Sequence, residues 1–286
     1  MNPPVEVVRV FPAGPGGGNP APVVVDADGM SDAEMQAVAR AHGHESGFVR
    51  SAPSGSGCDF ALRFWVPNHE MSMCGHATVG ATWLLDRLGL LPREEVRFLT
   101  RSGPVTARVS GPAAARRAAI TQPIGSVDPV DDHLAPAILE VLGITAAELA
   151  PRPIRNASTS RVKTLVPLAD ISVLDGLRPD FPRMEGLCDR LGSTGLYPYA
   201  RIGPASQVFA ARQFPRASGY PEDAATGIAA AALSFGLLET GLVEPTDRPI
   251  HVRQGRAMGR PSEMELRFVV DEGGVSGVWL GGSVEL

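Results

Sequence analysis

Cysteine is scarce in this chain: Cys58, Cys74 and Cys188 are widely spaced and form no CxxC pair. An odd, dispersed set of this kind argues against a disulfide framework and against a structural zinc site, both of which need thiols at short, paired spacing. Each thiol is left as either a packed side chain or a piece of chemistry. An excess of basic residues is missing too. Lys and Arg total 26 against 31 Asp and Glu, a net charge of −5, whereas a nucleic-acid binder is expected to carry a basic face. Long hydrophobic runs are absent, since nothing approaches the roughly 18 to 20 apolar residues that span a bilayer. The opening Met1-Asn2-Pro3-Pro4 does not read as a charged-then-apolar leader. These absences predict a cytoplasmic protein with no membrane and no nucleic-acid partner.

What is present is the material of a globular chain. Hydrophobic residues make up 44% of the 286 positions and charged residues 20%, a balance that supports a sizeable core. Length alone suggests roughly two domains of about 140 residues each.

Local patterns divide the chain further. Val5 to Phe11 alternates as a strand would, and Val23 to Val25 gives a second apolar run across the glycine-rich Gly14 to Asn19 loop, so the opening reads as a hairpin. Ser31-Asp32-Ala33-Glu34 has the form of a capping box and predicts a helix to about Ala41, ending near Gly43. Phe60 to Val66 reads as a strand that stops at Pro67-Asn68. After the loop comes Cys74-Gly75-His76-Ala77-Thr78 and then an apolar helix over Val79 to Leu91. A helix apolar on most faces is enclosed and not laid on a surface, so this one is expected inside a sheet. Gly111 to Pro136, rich in Ala, Pro, Gly and Asp, is the best candidate for a crossing between halves, and Val162 to Leu168 restarts with a strand.

The chain also echoes itself. Phe60-Ala61-Leu62-Arg63-Phe64, a loop and Cys74-Gly75-His76-Ala77 recur as Phe209-Ala210-Ala211-Arg212-Gln213-Phe214, a loop and Thr226-Gly227-Ile228-Ala229. Aligning Gly75 with Gly227 pairs Trp83 with Phe235 and Leu85 with Leu237 in a second apolar helix, Ile228 to Leu238. Such a duplication implies two facing domains with a cleft between the paired helix starts. Free N–H groups at two helix starts would hold an anion, most simply a substrate carboxylate.

Several side chains stand where chemistry could occur. Glu45, in His44-Glu45-Ser46-Gly47-Phe48, precedes an apolar pair. A carboxylate at the edge of an apolar cleft is suited to give and take a proton, although a Glu after a helix is also an ordinary solvated loop residue. Cys74 reads either as a small buried hydrophobe or as a thiol at a helix start, a position that favours the thiolate. His76 is an acid, a base or a substrate donor, or a satisfied polar residue under the helix. Asp223 precedes the second helix start, where acidic residues are often simply helix-stabilising.

Taken in order, these pieces resemble the PhzF-like proteins of the phenazine-biosynthesis type, which share the diaminopimelate-epimerase fold. The resemblance runs through Gly18-Asn19-Pro20, the Asp26 to Phe48 segment, Met73 to Thr78, Asp223 to Gly227, and Gln254-Gly255 with Gly259-Arg260-Pro261-Ser262. It implies an α+β fold of two pseudo-symmetric domains, 1–122 and 123–286, each a curved mixed β-sheet wrapped around a central buried helix, with the last strand able to return to the first half. It also implies a homodimer, no metal and no cofactor. By the same resemblance Glu45 is the proton carrier, and His76 and Asp223 help to bind and polarise the substrate. Asn19, Cys74, Gly75, Thr226, Gly227 and Ile228 are then substrate-binding positions.

There are departures. Ile228 stands where the family commonly has Ser, His44 where it has Ser before the catalytic Glu, and Ala224 where Pro is expected. The Ser158 to Lys163 segment lacks an expected glycine. These changes point to a substrate other than the dihydro-hydroxyanthranilate of the phenazine enzymes.

The duplicate partner of Cys74 is Thr226, whose hydroxyl is too weak an acid to replace a thiol, so a symmetric two-thiol racemisation is disfavoured. The reading is an isomerase in which Glu45 moves a proton on a small carboxylate-bearing substrate, in the setting of natural-product biosynthesis. Two alternatives stay open: an epimerase of an amino or hydroxy acid using Glu45 and Cys74, and a non-catalytic binding or cyclisation scaffold.

Overall fold

The computed structural model describes residues 3–203, 206–246 and 248–286; Met1 and Asn2 of the opening segment lie outside the described residues. The chain forms two compact units. The first takes the residues up to Ala13, Gly17–Thr121 and Gly281–Leu286, and the second takes Gly14–Gly16 and Gln122–Leu280.

The first unit is a closed barrel of eight strands around one helix. β1 (Glu6–Val10) and β2 (Asn19–Val24) form the expected hairpin, with Val10 opposite Asn19. β2 runs parallel to β3 (Ser46–Ser51), and β3 pairs antiparallel with β4 (Phe60–Trp65). The other edge of β4 takes the short β5 (Glu70–Met71) at one end and β6 (Glu95–Thr100) at the other. β7 (Gly103–Ser110) and β8 (Arg117–Pro123) continue as a meander. The end of the chain's last strand, Gly274–Glu285, inserts between β8 and β1 and closes the ring. Close approach at that seam requires Gly281, because a Cβ there would stand 2.6 Å from the Ala119 side chain.

Helix α1 (Asp32–His42) packs outside the barrel, where Met35 and Ala39 join Val24, Phe48 and Trp65 in a small apolar core. Its capping box is complete, and Gly43 ends it in the left-handed conformation. Helix α2 (Gly75–Arg87) is the barrel's axle, with His76 through Leu85 all buried. The expectation that this helix reaches Leu91 is corrected: it stops at Arg87. Gly89, at φ 69°, turns the chain, and the Leu90 N–H bonds back to the Leu85 carbonyl at 2.8 Å. A left-handed glycine just past the last turn is a stop signal that outweighs the continuing apolar run.

The Gly111 to Pro136 stretch, expected as the crossing between halves, holds the change from the first unit to the second at Thr121 and Gln122, and it carries regular structure. Arg117 to Gln122 alternates inward and outward as β8, and β9 (Ser126–Pro129) follows. In the second unit β9 pairs antiparallel with β10 (Arg155–Ser158), and β10 with β11 (Lys163–Pro167), with α3 (Ala135–Leu142) lying between β9 and β10 in sequence. α4 (Ile171–Gly176) and α5 (Phe181–Leu191) precede β12 (Gly195–Arg201), which runs parallel to β11. β13 (Val208–Ala211) and the short β14 (Phe214–Pro215) both pair with β12. β15 (Ile250–Gln254) runs parallel to β13 and pairs with β16 (Ser262–Asp271).

Helix α6 (Gly227–Glu239) is the counterpart of α2, with the same 13-residue length and with Gly227 and Ala229 through Leu237 buried. It packs on β9, β10, β11 and β16. The opposite sheet face is covered by α3, α4 and α5 through a core that includes Ile138, Val166, Leu187, Leu196 and Phe214. The architecture is therefore α+β, of the diaminopimelate-epimerase type, with a helix enclosed by curved mixed sheet in each unit. No helix among the described residues is long and apolar enough to cross a membrane.

Candidate active site

Each enclosed helix begins without a side-chain cap. Cys74, in extended backbone, precedes α2 and Thr226 precedes α6, and neither side chain accepts a hydrogen bond from the first turn. Ser31 and Asp170 do cap α1 and α4. The contrast matters because the first N–H groups of a helix have no partner inside it and carry the positive end of its dipole.

In the first unit Glu45 is half-buried at the join between α1 and β3. Two residues on, Gly47 packs against Ala77 in the first turn of α2, where a Cβ on Gly47 would lie 3.5 Å from that of Ala77. The segment that carries Glu45 and the start of α2 thus share one corner of the barrel. Cys74 and His76 are both buried there, with the Cys74 sulfur 3.5 Å from His76 Nδ1. Thr78 anchors the turn from inside, its hydroxyl donating to the Cys74 carbonyl at 2.7 Å. Gly75 is the first helical residue. Asn19, half-buried, opens β2.

In the second unit the Thr226 hydroxyl, instead of capping α6, donates to Asp223 Oδ2. Gln254 ties the station together. Its Nε2 donates to the Asp223 carbonyl at 2.6 Å and to Thr226 Oγ1 at 3.2 Å, while its Oε1 accepts from the Tyr197 hydroxyl at 2.9 Å. Asp223 is further fixed by its N–H, which donates to the Gln213 carbonyl at 3.1 Å. Ile228, half-buried in the first turn of α6, occupies the place that His76 holds in α2 and offers no polar atom.

Ion pairs steady the two loops that lead into these helices, and they match. Arg63 on β4 binds Glu70 with two hydrogen bonds of 2.6 and 2.8 Å, and Glu70 lies four residues before Cys74. Arg212, just past β13, binds Glu222 with bonds of 2.9 and 2.7 Å, and Glu222 lies four residues before Thr226. Sequence reading quoted both arginines inside the echoed segments without assigning them a task. The signal was the repeat itself, since an arginine recurring at the same place in two otherwise apolar segments needs a partner in both.

Burial dominates the electrostatics of the second station. Lys163, at the start of β11, is 4% exposed. Desolvation pushes its ammonium down to about 8, opposed by the negative charge of Asp223. The fully buried Tyr197 hydroxyl is held well above its ordinary value by the same desolvation, with Asp223 adding to it. Lys163, Gln254 and Tyr197 were not singled out by sequence reading, because nothing in one sequence marks a lone Lys, Gln or Tyr on a strand as inward-facing and close to Asp223.

Residues 8–283 match the family model described as phenazine biosynthesis-like protein. An uncharacterized isomerase of Deinococcus radiodurans is 33% identical over 281 residues, covering 96% of this chain and 90% of its own. The trans-2,3-dihydro-3-hydroxyanthranilate isomerase of Pseudomonas fluorescens is 29% identical over 271 residues, covering 93% and 90%. In fold, the chain is similar to the crystal structure of the Bacillus anthracis phenazine biosynthesis protein of the PhzF family, with a TM-score of 0.87 at 22% identity and coverage of 98% and 95%.

Proposed function

The chain belongs to the phenazine biosynthesis-like (PhzF) family, and on that premise we propose that it is a cofactor-independent isomerase that moves a proton on a small carboxylate-bearing substrate, with Glu45 as the carrier. Glu45 takes a proton from carbon next to a carboxylate or conjugated system. The electron pair left behind shifts along that system, and the same carboxyl group returns the proton at its far end. The substrate is isomerised, and Glu45 ends as it began. His76 and Asp223 bind and polarise the substrate, and the uncapped N–H groups of α2 and α6 take its anionic oxygens. The observation that supports this reading is the Gly47 to Ala77 contact, which sets the Glu45 segment beside the uncapped first turn of α2 and its buried His76.

The test is Glu45→Gln, which keeps shape and removes acid-base function. Wild-type protein is expected to exchange carbon-bound hydrogen with solvent deuterium in a small unsaturated or amino acid other than trans-2,3-dihydro-3-hydroxyanthranilate. The variant is expected to lose that exchange by about 100-fold or more, the usual scale of general acid-base catalysis. Retained turnover in the variant would end the assignment.

One observation favours a second reading. Cys74 and His76 stand within contact at 3.5 Å, the spacing of a thiol with a base beside it. Cys74 is then a second base, and the reaction is epimerisation. Deuterium entering a stereocentre with inversion selects this reading; transfer with a shifted double bond selects the isomerase.

A further inference from the structure

The reaction above leaves a buried cation unused. Lys163 is 4% exposed at the start of β11, and its ammonium has no hydrogen-bond acceptor among the described residues. Its side chain shares a strand face with Leu165, which packs on Gly236 of α6, so Lys163 also faces the enclosed helix. The charged or titratable groups around it are Asp223, Arg161 and Cys188. Asp223 attracts it across a gap, with no ion pair closed between the two.

Beside it lies a polar group whose atoms are fully buried and without a partner. β11 and β12 run parallel with Thr164 level with Leu196, so Lys163 and Gly195, one residue back on each strand, lie side by side. The Gln213 amide occupies the space that a Cβ on Gly195 would take. Gln213 is 1% exposed, and neither its Nε2 nor its Oε1 has a partner. Its backbone bridges to Asp223.

A buried ammonium without an acceptor is costly, and so is a buried amide with both groups unmet. Two such groups side by side, next to a functional carboxylate and on the face that carries the helix start, describe a site whose acceptor arrives from outside. We propose that Lys163 binds an acidic group of the substrate, with the Gln213 amide donating to the same oxygens, so that the second unit selects for an acid by charge as well as by backbone N–H groups. A carboxylate fits because it brings two acceptor oxygens and one negative charge, and it answers both groups. The inference rests on the isomerase reading for its substrate class but not on the role of Glu45.

The full-length protein is titrated with anthranilate and with anthranilamide, its uncharged counterpart, beside Lys163→Met and Lys163→Arg. Wild type is expected to prefer the acid by about tenfold or more. Lys163→Met loses that preference and Lys163→Arg keeps part of it. The idea is overturned by a wild type that shows no preference for the acid, or by a Lys163→Met protein that retains it. Should Lys163→Met fail to fold, the wild type alone decides. Its preference falls as pH rises through about 8, where Lys163 gives up its proton, and a preference flat across that range rejects the site. Loss of the preference in Lys163→Met together with full deuterium exchange in Glu45→Gln would retire the proton-shuttle reading and leave this one standing.

Discussion

Arg212 holds Glu222 with two hydrogen bonds, Nε to Oε1 at 2.9 Å and Nη2 to Oε2 at 2.7 Å, at side-chain exposures of only 10% and 9%. The remaining nitrogen, Nη1, donates to the Leu174 and Leu177 carbonyls, and the guanidinium lies over the Phe214 ring. The loop from β14 to α6, and with it Asp223, is therefore tied to the sheet by a buried charge that makes four hydrogen bonds.

Removing one partner leaves the other buried and uncompensated, which costs about 3 to 5 kcal/mol. Arg212→Met and Glu222→Gln are each expected to lose stability on that scale in denaturant unfolding. The double replacement Arg212→Met with Glu222→Gln is expected to lose clearly less than the sum of the two. Arg63→Met should cost less than Arg212→Met, because Glu70 keeps an ion pair to Arg101 at 2.7 Å. A strictly additive double variant would show that the second unit's pair is not a coupled one.

Helix α2 turns on a missing side chain. A Cβ on Gly80 would stand 2.8 Å from Val8 Cγ2 and 3.1 Å from Val10 Cγ2, so the helix touches β1 without room for a methyl group. Gly186, on α5, meets nothing within 4 Å. Alanine is intrinsically better in a helix by about 0.8 to 1 kcal/mol, and only at Gly186 can that gain appear. Gly186→Ala is expected to raise stability by roughly 0.5 to 1 kcal/mol, whereas Gly80→Ala should lower it by about 1 to 3 kcal/mol through overpacking. Thermal unfolding of the two variants checks both signs.

Much of this was legible from residue order. The capping box at Ser31, the two apolar helices and the repeat of Arg63 and Arg212 are local or periodic signals, whereas the fold class came from the family resemblance. The end of α2 was misread because the apolar run through Leu90 and Leu91 masked Gly89, whose backbone freedom decides the matter. The second station was legible only in part. Thr226 and Asp223 stand together in sequence, but Tyr197, Gln254 and Lys163 reach them from three separate strands. Nothing short of strand register says which of a strand's residues face inward. Lys163 in particular reads as a solvated charge until its neighbour Gly195 and the amide of Gln213 are seen beside it.

That buried ammonium gives the protein a pH signature before any ligand is added. The unfolded chain takes up the Lys163 proton near 10.5, while desolvation in the native state moves this down to about 8. Between those values the unfolded state binds more protons than the native state, so the Lys163 contribution to stability rises with pH from about 8 to about 10.5 and is level outside that window. Cys188 works in the opposite sense. Burial pushes its thiol from 9.0 up to about 11, so the unfolded chain loses that proton first and stability falls across that range. Because Lys163 and Cys188 feel each other's charge, the two are separated by comparing Lys163→Met with its parent in a Cys188→Ala background, where only the lysine titrates. In that background the parent is expected to gain on the Lys163→Met variant by an amount on the order of 3 kcal/mol as pH climbs from about 8 to about 10.5, measured by denaturant unfolding at each pH. A difference that does not change across the window would mean that the ammonium is solvated in the native protein, and the cost assigned to its burial would then be absent.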